Sequence, residues 1–403
     1  VTAELTAAAE LPATRGCPFG QPAVYERLRT REPIAKVGLP GGKWAWAVTR
    51  HEDVRAVLAS PDFSADRTHP DFPSLLAEGG TIRKPTDEKS MVSMDPPEHG
   101  EARRAVLGEF TVRRVEAMRP RVQRIVDDHI DAILAGPKPA ELVSALALPV
   151  PSLVICELLG VPYADHEFFQ ANTARMVHRG TRADDRRRSF ENIQGYLTEL
   201  VAGKETGPPD DLLGRQITAR RADGTYRRAA VAALGMTLLL AGHETTANMI
   251  GAGTAALLTN PDQLAALRRS PDRIPAAVEE LLRFLTIVDT VTTRRCVADT
   301  EIGGVTIRAG EGVIALGQAA NWDPTVFPDP DRLDITRGGR HHVAFGFGPH
   351  QCLGQNLARL ELHIVFETLL TRLPTLALAT PLADIPFKDD TFVYGVHRLP
   401  ITW

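Results

Sequence analysis

The chain has 403 residues, 43% of them hydrophobic and 24% charged, which is enough to bury a large core and unlike a disordered composition. A formal net charge of -4 with no basic block gives no electrostatic case for nucleic acid. Four scattered cysteines, Cys17, Cys156, Cys296 and Cys352, argue against a disulfide framework and against zinc held by closely spaced pairs.

Residues 1–16 carry neither the basic stretch nor the apolar run of a secretory signal, and are expected to be a flexible terminus on a cytoplasmic protein. Helical periodicity marks residues 25–30, 51–58, 98–109, 122–134, 229–258, 261–268, 275–285 and 353–371. Short strands are expected at 44–48, 301–307, 313–316 and 391–401. Residues 142–161 are apolar, but Pro149, Pro151 and Glu157 make them buried helices with a break. Residues 229–258 are also long and apolar, yet an acid such as Glu244 near a bilayer centre costs roughly 2.5–3.5 kcal/mol, so a helix through a protein core is expected. The arginine-rich residues 184–188 read as a solvated helix end or loop. No linker or repeat interrupts the chain. A mainly α protein with a smaller β region, folded as a single domain over residues 1–403, is the expectation.

Residues 345–354 read FGFGPHQCLG. Gly346 and Gly348 permit backbone dihedrals closed to other residues, and Pro349 stiffens the turn. Leu353, Leu357, Leu360 and Ile364 then form one helical stripe, which puts Cys352 at a helix start whose positive end favours a thiolate. A free cysteine often serves only as a small hydrophobe. Here the turn glycines and Gly354 leave a surface that a flat cofactor could approach, and nearby amides could tune a metal-bound sulfur.

The pattern FGxGxHxCxG resembles the haem-binding loop of the cytochrome P-450 family, whose cysteine is the proximal iron ligand. The resemblance implies haem b (iron protoporphyrin IX) on Cys352, with Phe345, Gly346 and Gly354 around it and His350 on a propionate. It covers most of the chain, from about Cys17 to the tail. It implies the cytochrome P-450 fold and is strongest to soluble actinobacterial hydroxylases, on the segment LPVPSLVICELLGVPYADHEFFQ.

Three further motifs stand in the family's order. Ala241-Gly242-His243-Glu244-Thr245-Thr246 places an acid beside a hydroxyl in an apolar helix, which is costly without partners. Thr245 could bond back to the Ala241 carbonyl, and Glu244 could pair with an arginine. The resemblance to AGxxT instead implies that Glu244 and Thr245 deliver protons to activated dioxygen, with Ala241 and Gly242 against the haem and Gly242 leaving room for oxygen. Glu280 and Arg283 lie three apart on one helix face, a common and weak pairing by itself. Their resemblance to ExxR implies a structural brace completed by Arg332. Asp95 can cap the next helix, on which His99 and Arg103 share a face that suits an anion or an ordinary basic surface. The resemblance assigns His99, Arg103, Arg294 and His350 to the haem propionates, with Arg295 competing with its neighbour. Trp322 stands where relatives usually carry arginine.

The function implied is haem-dependent monooxygenation: hydroxylation of a medium to large apolar small molecule, such as a secondary metabolite, sterol-like compound or xenobiotic. It would use O2 and electrons from a ferredoxin and its reductase, on a monomer that binds no membrane. Arg104, Arg113, Arg114, Arg340 and His341 are candidates for the ferredoxin surface, although solvated arginines need no such role. Met91, Val92, Met94, Leu240, Val288, Val291 and Phe392 are candidate substrate contacts, with residues 163–203 as a lid by analogy. A peroxygenase or nitric oxide reductase would share the fold. A non-catalytic haem sensor would dispense with proton delivery, and a purely structural helical protein would bind no haem.

Overall fold

In the computed structural model, which describes residues 9–76, 88–290 and 292–403, fourteen α-helices make up most of the regular secondary structure. The first five are α1 (Ala23–Arg31), α2 (His51–Ala59), α3 (Glu98–Leu107), α4 (Val112–Ala117) and α5 (Arg119–Ala135). The middle of the chain forms α6 (Pro149–Leu159), α7 (His166–Val177), α8 (Ala183–Lys204), α9 (Leu212–Ala222) and α10 (Arg228–Leu258). After them come α11 (Pro261–Arg269), α12 (Ile274–Leu285), α13 (Gly317–Asn321) and α14 (Gln355–Arg372). The architecture is mainly α, and the apolar run that is too polar at its centre for a membrane is the central helix α10, packed by α6, α8, α12 and α14. Among the described residues no helix is long and apolar enough to cross a membrane.

The strands are short: β1 (Ile34–Leu39), β2 (Lys43–Val48), β3 (Phe63–Ser64), β4 (Ala140–Glu141), β5 (Thr293–Cys296), β6 (Thr300–Ile302), β7 (Val305–Ile307), β8 (Gly312–Ala315), β9 (Ala377–Leu378) and β10 (Pro400–Thr402). Five of them form one mixed sheet in the order β1-β2-β8-β5-β3. In it Ile34 faces Val48 across an antiparallel pair, and Trp46 runs parallel to β8 at Val313. The strand expected at 301–307 is instead a hairpin. Gly303 and Gly304, at φ 54° and 79°, make the two-residue turn that a right-twisted pair of strands prefers. Of residues 391–401, only Pro400 and Ile401 enter a strand, β10, while the preceding stretch runs as an irregular strap.

Two further local expectations change. Residues 184–188 lie in the first turns of α8, where Arg186 is buried and donates to the His178 carbonyl at 2.9 Å; only its neighbours Arg187 and Arg188 form the exposed pairs expected of a solvated end. The described part of the terminus, residues 9–16, is pinned. Leu11 is buried and donates its amide to Gly38, and Arg15 donates to the Leu285 carbonyl at 2.8 Å. Residues 142–161 do contain the expected break, a π-helical stretch at Val143–Ala147 before α6 begins at Pro149.

Candidate active site

The ligand loop is held from both sides by α12. Its two adjacent acids point to different partners. Glu279 contacts His342 at 3.0 Å and accepts from Arg359 of α14 at 2.5 Å, so the segment before the loop and the helix after it share one carboxylate. These hydrogen bonds and charges outweigh burial and hold the Glu279 carboxyl down at about 2. Glu280 makes a two-point bond with Arg283, both distances 2.8 Å, and Arg283 also donates to the carbonyls of Asn321 and Pro330 at 2.9 Å. This pair is almost fully buried, where a fixed bidentate geometry offsets the loss of hydration.

The third cation of the brace is Arg337, not Arg332. Arg337 lies 3.2 Å from Glu280 and is largely buried, whereas Arg332 points to solvent and pairs with Asp334 at 3.0 Å. Asp334 also gives its amide to Glu280, so the turn at residues 332–337 carries Arg337 inward and leaves the nearer arginine outside. Trp322 fills its position with an apolar substitute: the indole donates to the Phe284 carbonyl at 3.0 Å and stacks on the Phe284 ring.

In the loop itself Gly346 and Gly348 both take φ 70°. A Cβ at Gly348 would lie 2.5 Å from the Leu58 carbonyl oxygen, so glycine is needed where α2 buttresses the turn. The Cys352 amide donates to Phe345 at 2.8 Å, and the Phe345 ring lies under the Arg359 guanidinium. Cys352 precedes the helix proper, which starts at Gln355. The expected thiolate is not the resting tendency of the bare thiol. Burial pushes it up more than the Gly354 and Gln355 amides, Arg103 and Arg359 pull it down.

On α10, Ala241 is exposed and Thr245 half-buried in the middle of an otherwise buried helix, and Ala233 and Thr237 continue the same i, i+4 stripe. This stripe is the accessible face of the middle of α10, and the space beside it is termed the cleft. The Thr245 hydroxyl donates to the Ala241 carbonyl at 2.6 Å, the local bond anticipated as one alternative. Glu244 is buried and pairs with a lysine, not an arginine: Lys388 lies at 3.5 Å, and Asn248 donates to its Oε2 at 3.0 Å. Gly242 does not open space on the cleft. Its Cβ would meet Ile155 of α6 at 3.1 Å, because it sits about 100° around the helix from Ala241, and its role is close helix packing.

The four residues assigned to propionates form one group with an addition. The His99 and His350 rings lie 3.9 Å apart. Burial together with His99, Arg294, Arg103 and Arg67 drives the His350 imidazole down to about 3, and burial and Arg67 lower Arg294 to about 10. Such mutual depression marks a concentration of positive charge suited to a dianion. Arg67 is a member that the sequence did not single out, since a lone arginine after β3 carries no pattern. Asp95 does not cap α3; it accepts from the Ala65 amide at 2.8 Å and the Ser64 hydroxyl, tying β3 to the start of this group.

A family model described as cytochrome P450 matches residues 186–400. The chain belongs to the cytochrome P450 family. This cytochrome P450 is 46% identical over 403 residues to Vitamin D3 dihydroxylase of Streptomyces griseolus, covering 100% of this chain and 98% of that protein. It superposes on the crystal structure of cytochrome P450 MoxA from Nonomuraea recticatena with TM-score 0.91 and 56% identity, over 98% of each chain. Another solved relative, CYP105P1 in complex with filipin I, gives TM-score 0.93 at 43% identity over 98% of this chain and 99% of that one. This P450 is therefore an oxidoreductase of the monooxygenase class, with the P450 fold expected from the loop motif.

The family implies a haem–thiolate cofactor, and the residues present fit one. A soft sulfur carries two amide donors, a Cβ on Gly354 would meet nothing within 4 Å, Ala241 offers a bare methyl to the cleft, and a cation cluster awaits two carboxylates. The substrate candidates divide. Leu240, Val288 and Met91 are half-buried beside the core, Met94 is half-buried, and Val92 is exposed. Phe392 packs near the amino-terminal cluster and lines a separate small cavity with Arg15 and Tyr25. Val291 lies outside the described residues.

Proposed function

We propose that this P450 hydroxylates a medium to large apolar small molecule, with haem b on Cys352 and electrons delivered by a ferredoxin and its reductase. The observation that carries the reading is the open Ala241–Thr245 stripe inside a buried helix, combined with a cysteine loop whose amides face the sulfur. Haem iron, when bound there, supplies dioxygen activation and insertion of one oxygen atom into an unactivated C–H bond. Cys352 donates electron density to the metal, and its amide donors temper that donation. His99, Arg103, Arg294 and His350 hold the propionates, with Arg67 reinforcing the field. Thr245 lies on the accessible stripe with its hydroxyl proton engaged by Ala241, which leaves its oxygen lone pairs able to accept from a water. Glu244, one residue back and buried, passes protons inward from solvent.

The substrate class follows from the apolar Leu240, Val288, Met91 and Met94 and from relatives whose names record vitamin D3 dihydroxylation and a filipin I complex. Four free cysteines suit a reducing, cytoplasmic setting. The ferredoxin surface is Arg104 and Arg113, both exposed, with exposed Leu107 and Val112 between them. The decisive test is the reduced CO difference spectrum, followed by turnover with ferredoxin, reductase and NAD(P)H against turnover with peroxide alone. A red-shifted thiolate band with reductase-dependent hydroxylation is expected. Product from peroxide alone would favour a peroxygenase, and no thiolate band would remove Cys352 as ligand.

A further inference from the structure

The carboxylate of Glu244 is held by a part of the chain far from its own helix. Lys388 approaches it at 3.5 Å, and the two side chains are 16% and 7% exposed, so the pair is shielded from the screening that weakens surface pairs. The same stretch presses on the second partner of Glu244. A Cβ on Gly395 would lie 2.0 Å from the Asn248 side-chain oxygen, and Asn248 is the donor to Glu244 Oε2. Lys388 and Gly395 are joined directly, by the Lys388 amide to the Gly395 carbonyl at 2.9 Å. One support of the acid, Lys388, and the residue packed on the other, Gly395, therefore belong to one backbone unit, residues 388–395, while Asn248 stays on α10.

The other edge of that unit is stitched to the end of α7. Phe392 donates its amide to the Val177 carbonyl at 3.0 Å, and Arg179 donates its own to the Asp390 carbonyl at 2.8 Å. His178 bridges to Thr391 and contacts the Asp390 carboxylate at 2.8 Å. Beside the unit lies a cavity of about 50 Å³ bordered by Arg15, Arg179, Lys388 and Tyr394, polar and large enough for water. No other ion pair from a lysine or arginine reaches Glu244 among the described residues.

We propose that Lys388 is a positioning residue for Glu244, and that residues 388–395 are a strap that transmits the position of the α7 end to this acid. When α7 shifts, the strap shifts with it, so that Lys388 releases or holds the carboxylate while Gly395 loosens or tightens its packing on Asn248. A substrate that settles the α7 end would thereby set proton delivery without touching Glu244. The inference rests on the relay role given to Glu244 above.

The test compares Lys388→Met, Lys388→Arg and Glu244→Gln in the haem-loaded enzyme. Lys388→Met should lower product per NAD(P)H roughly three- to fivefold, the factor a modest ion pair converts to, with peroxide making up the balance. Substrate affinity and the reduced CO band should not move, and Lys388→Arg should recover most of the yield. The solvent isotope effect on turnover should rise in Lys388→Met, which a purely packing role would not produce. For the strap, Asp390→Asn with His178→Phe should speed amide exchange both at residues 176–180 and at 386–395, and should lower the yield with Lys388 intact. An unchanged yield in Lys388→Met alongside a lowered one in Glu244→Gln overturns this inference alone. An unchanged yield in Glu244→Gln overturns the relay reading and this inference with it. Faster exchange at 176–180 without any at 386–395 rejects the strap.

Discussion

Arg337 and Arg332 stand five positions apart, yet only one reaches the buried Glu280, and the difference is measurable. Arg337→Ala should destabilise the fold by about 1–3 kcal/mol, because it removes a charged partner from a carboxylate that stays buried. Arg332→Ala should stay within about 0.5 kcal/mol, since its pair with Asp334 is solvent-exposed. Urea unfolding of the two variants separates them. At Thr245 the relevant quantity is coupling. Thr245→Ala should consume reducing equivalents at a near-normal rate while product per electron falls several-fold and peroxide accumulates; an equal product yield would contradict the role given to the hydroxyl. The residues with fixed chemistry were readable from sequence because a cysteine loop, an acid–alcohol pair and an ExxR triplet are local strings. Their supports were not. Arg337, Arg67, Lys388 and Asn248 meet the site only through folding, and nothing in a lone arginine or lysine announces its partner.

Helix α14 carries an unpaired acid. Glu361 is buried, its Oε2 has no hydrogen-bond partner, and burial raises its carboxyl from an ordinary 4.5 to about 8. Between those values the folded chain keeps a proton that the unfolded chain has lost. Stability therefore falls as pH rises from about 4.5 to about 8 and levels off above. Glu361→Gln should flatten this slope, changing little near pH 5 and stabilising by up to about 4 kcal/mol above pH 8, as read from thermal melts across pH. Amphipathic helices such as α5 and α12 were legible because one apolar stripe recurs over several turns. Helices α7, α8 and α9 were not marked, since they pack against one another and α10 on more than one side and lack a single clean stripe. The strands of two to four residues were the least legible elements, because their pairing is long-range and their length gives the alternation too little room.

At the scale of the molecule, the net charge of -4 does not prevent exposed arginines from lying together on the surface proposed for ferredoxin. Arg104 and Arg113 are free in solvent, whereas Arg114 is bound to Glu109 at 3.0 Å, which Arg215 also holds at 2.7 Å. Reversing Arg104 and Arg113 together should slow reduction by ferredoxin, and more strongly at low ionic strength where screening is weakest; stopped-flow reduction at two salt concentrations measures it. Arg114 is the wrong choice for that experiment, because its reversal would also disturb the α4–α9 contact through Glu109.

The pinned stretch at residues 9–16 sets a practical boundary. Arg15 stacks on Tyr394 at 3.9 Å and donates to Leu285 and Thr286, the carbonyls that end α12, while Leu11 is sealed beside β1. A chain shortened past Arg15 would uncap the helix that carries the ExxR brace and loosen the aromatic wall of the strap. Tags and truncations should thus stop ahead of Ala9, and a chain begun at Cys17 should express poorly or lose haem on heating sooner than its parent.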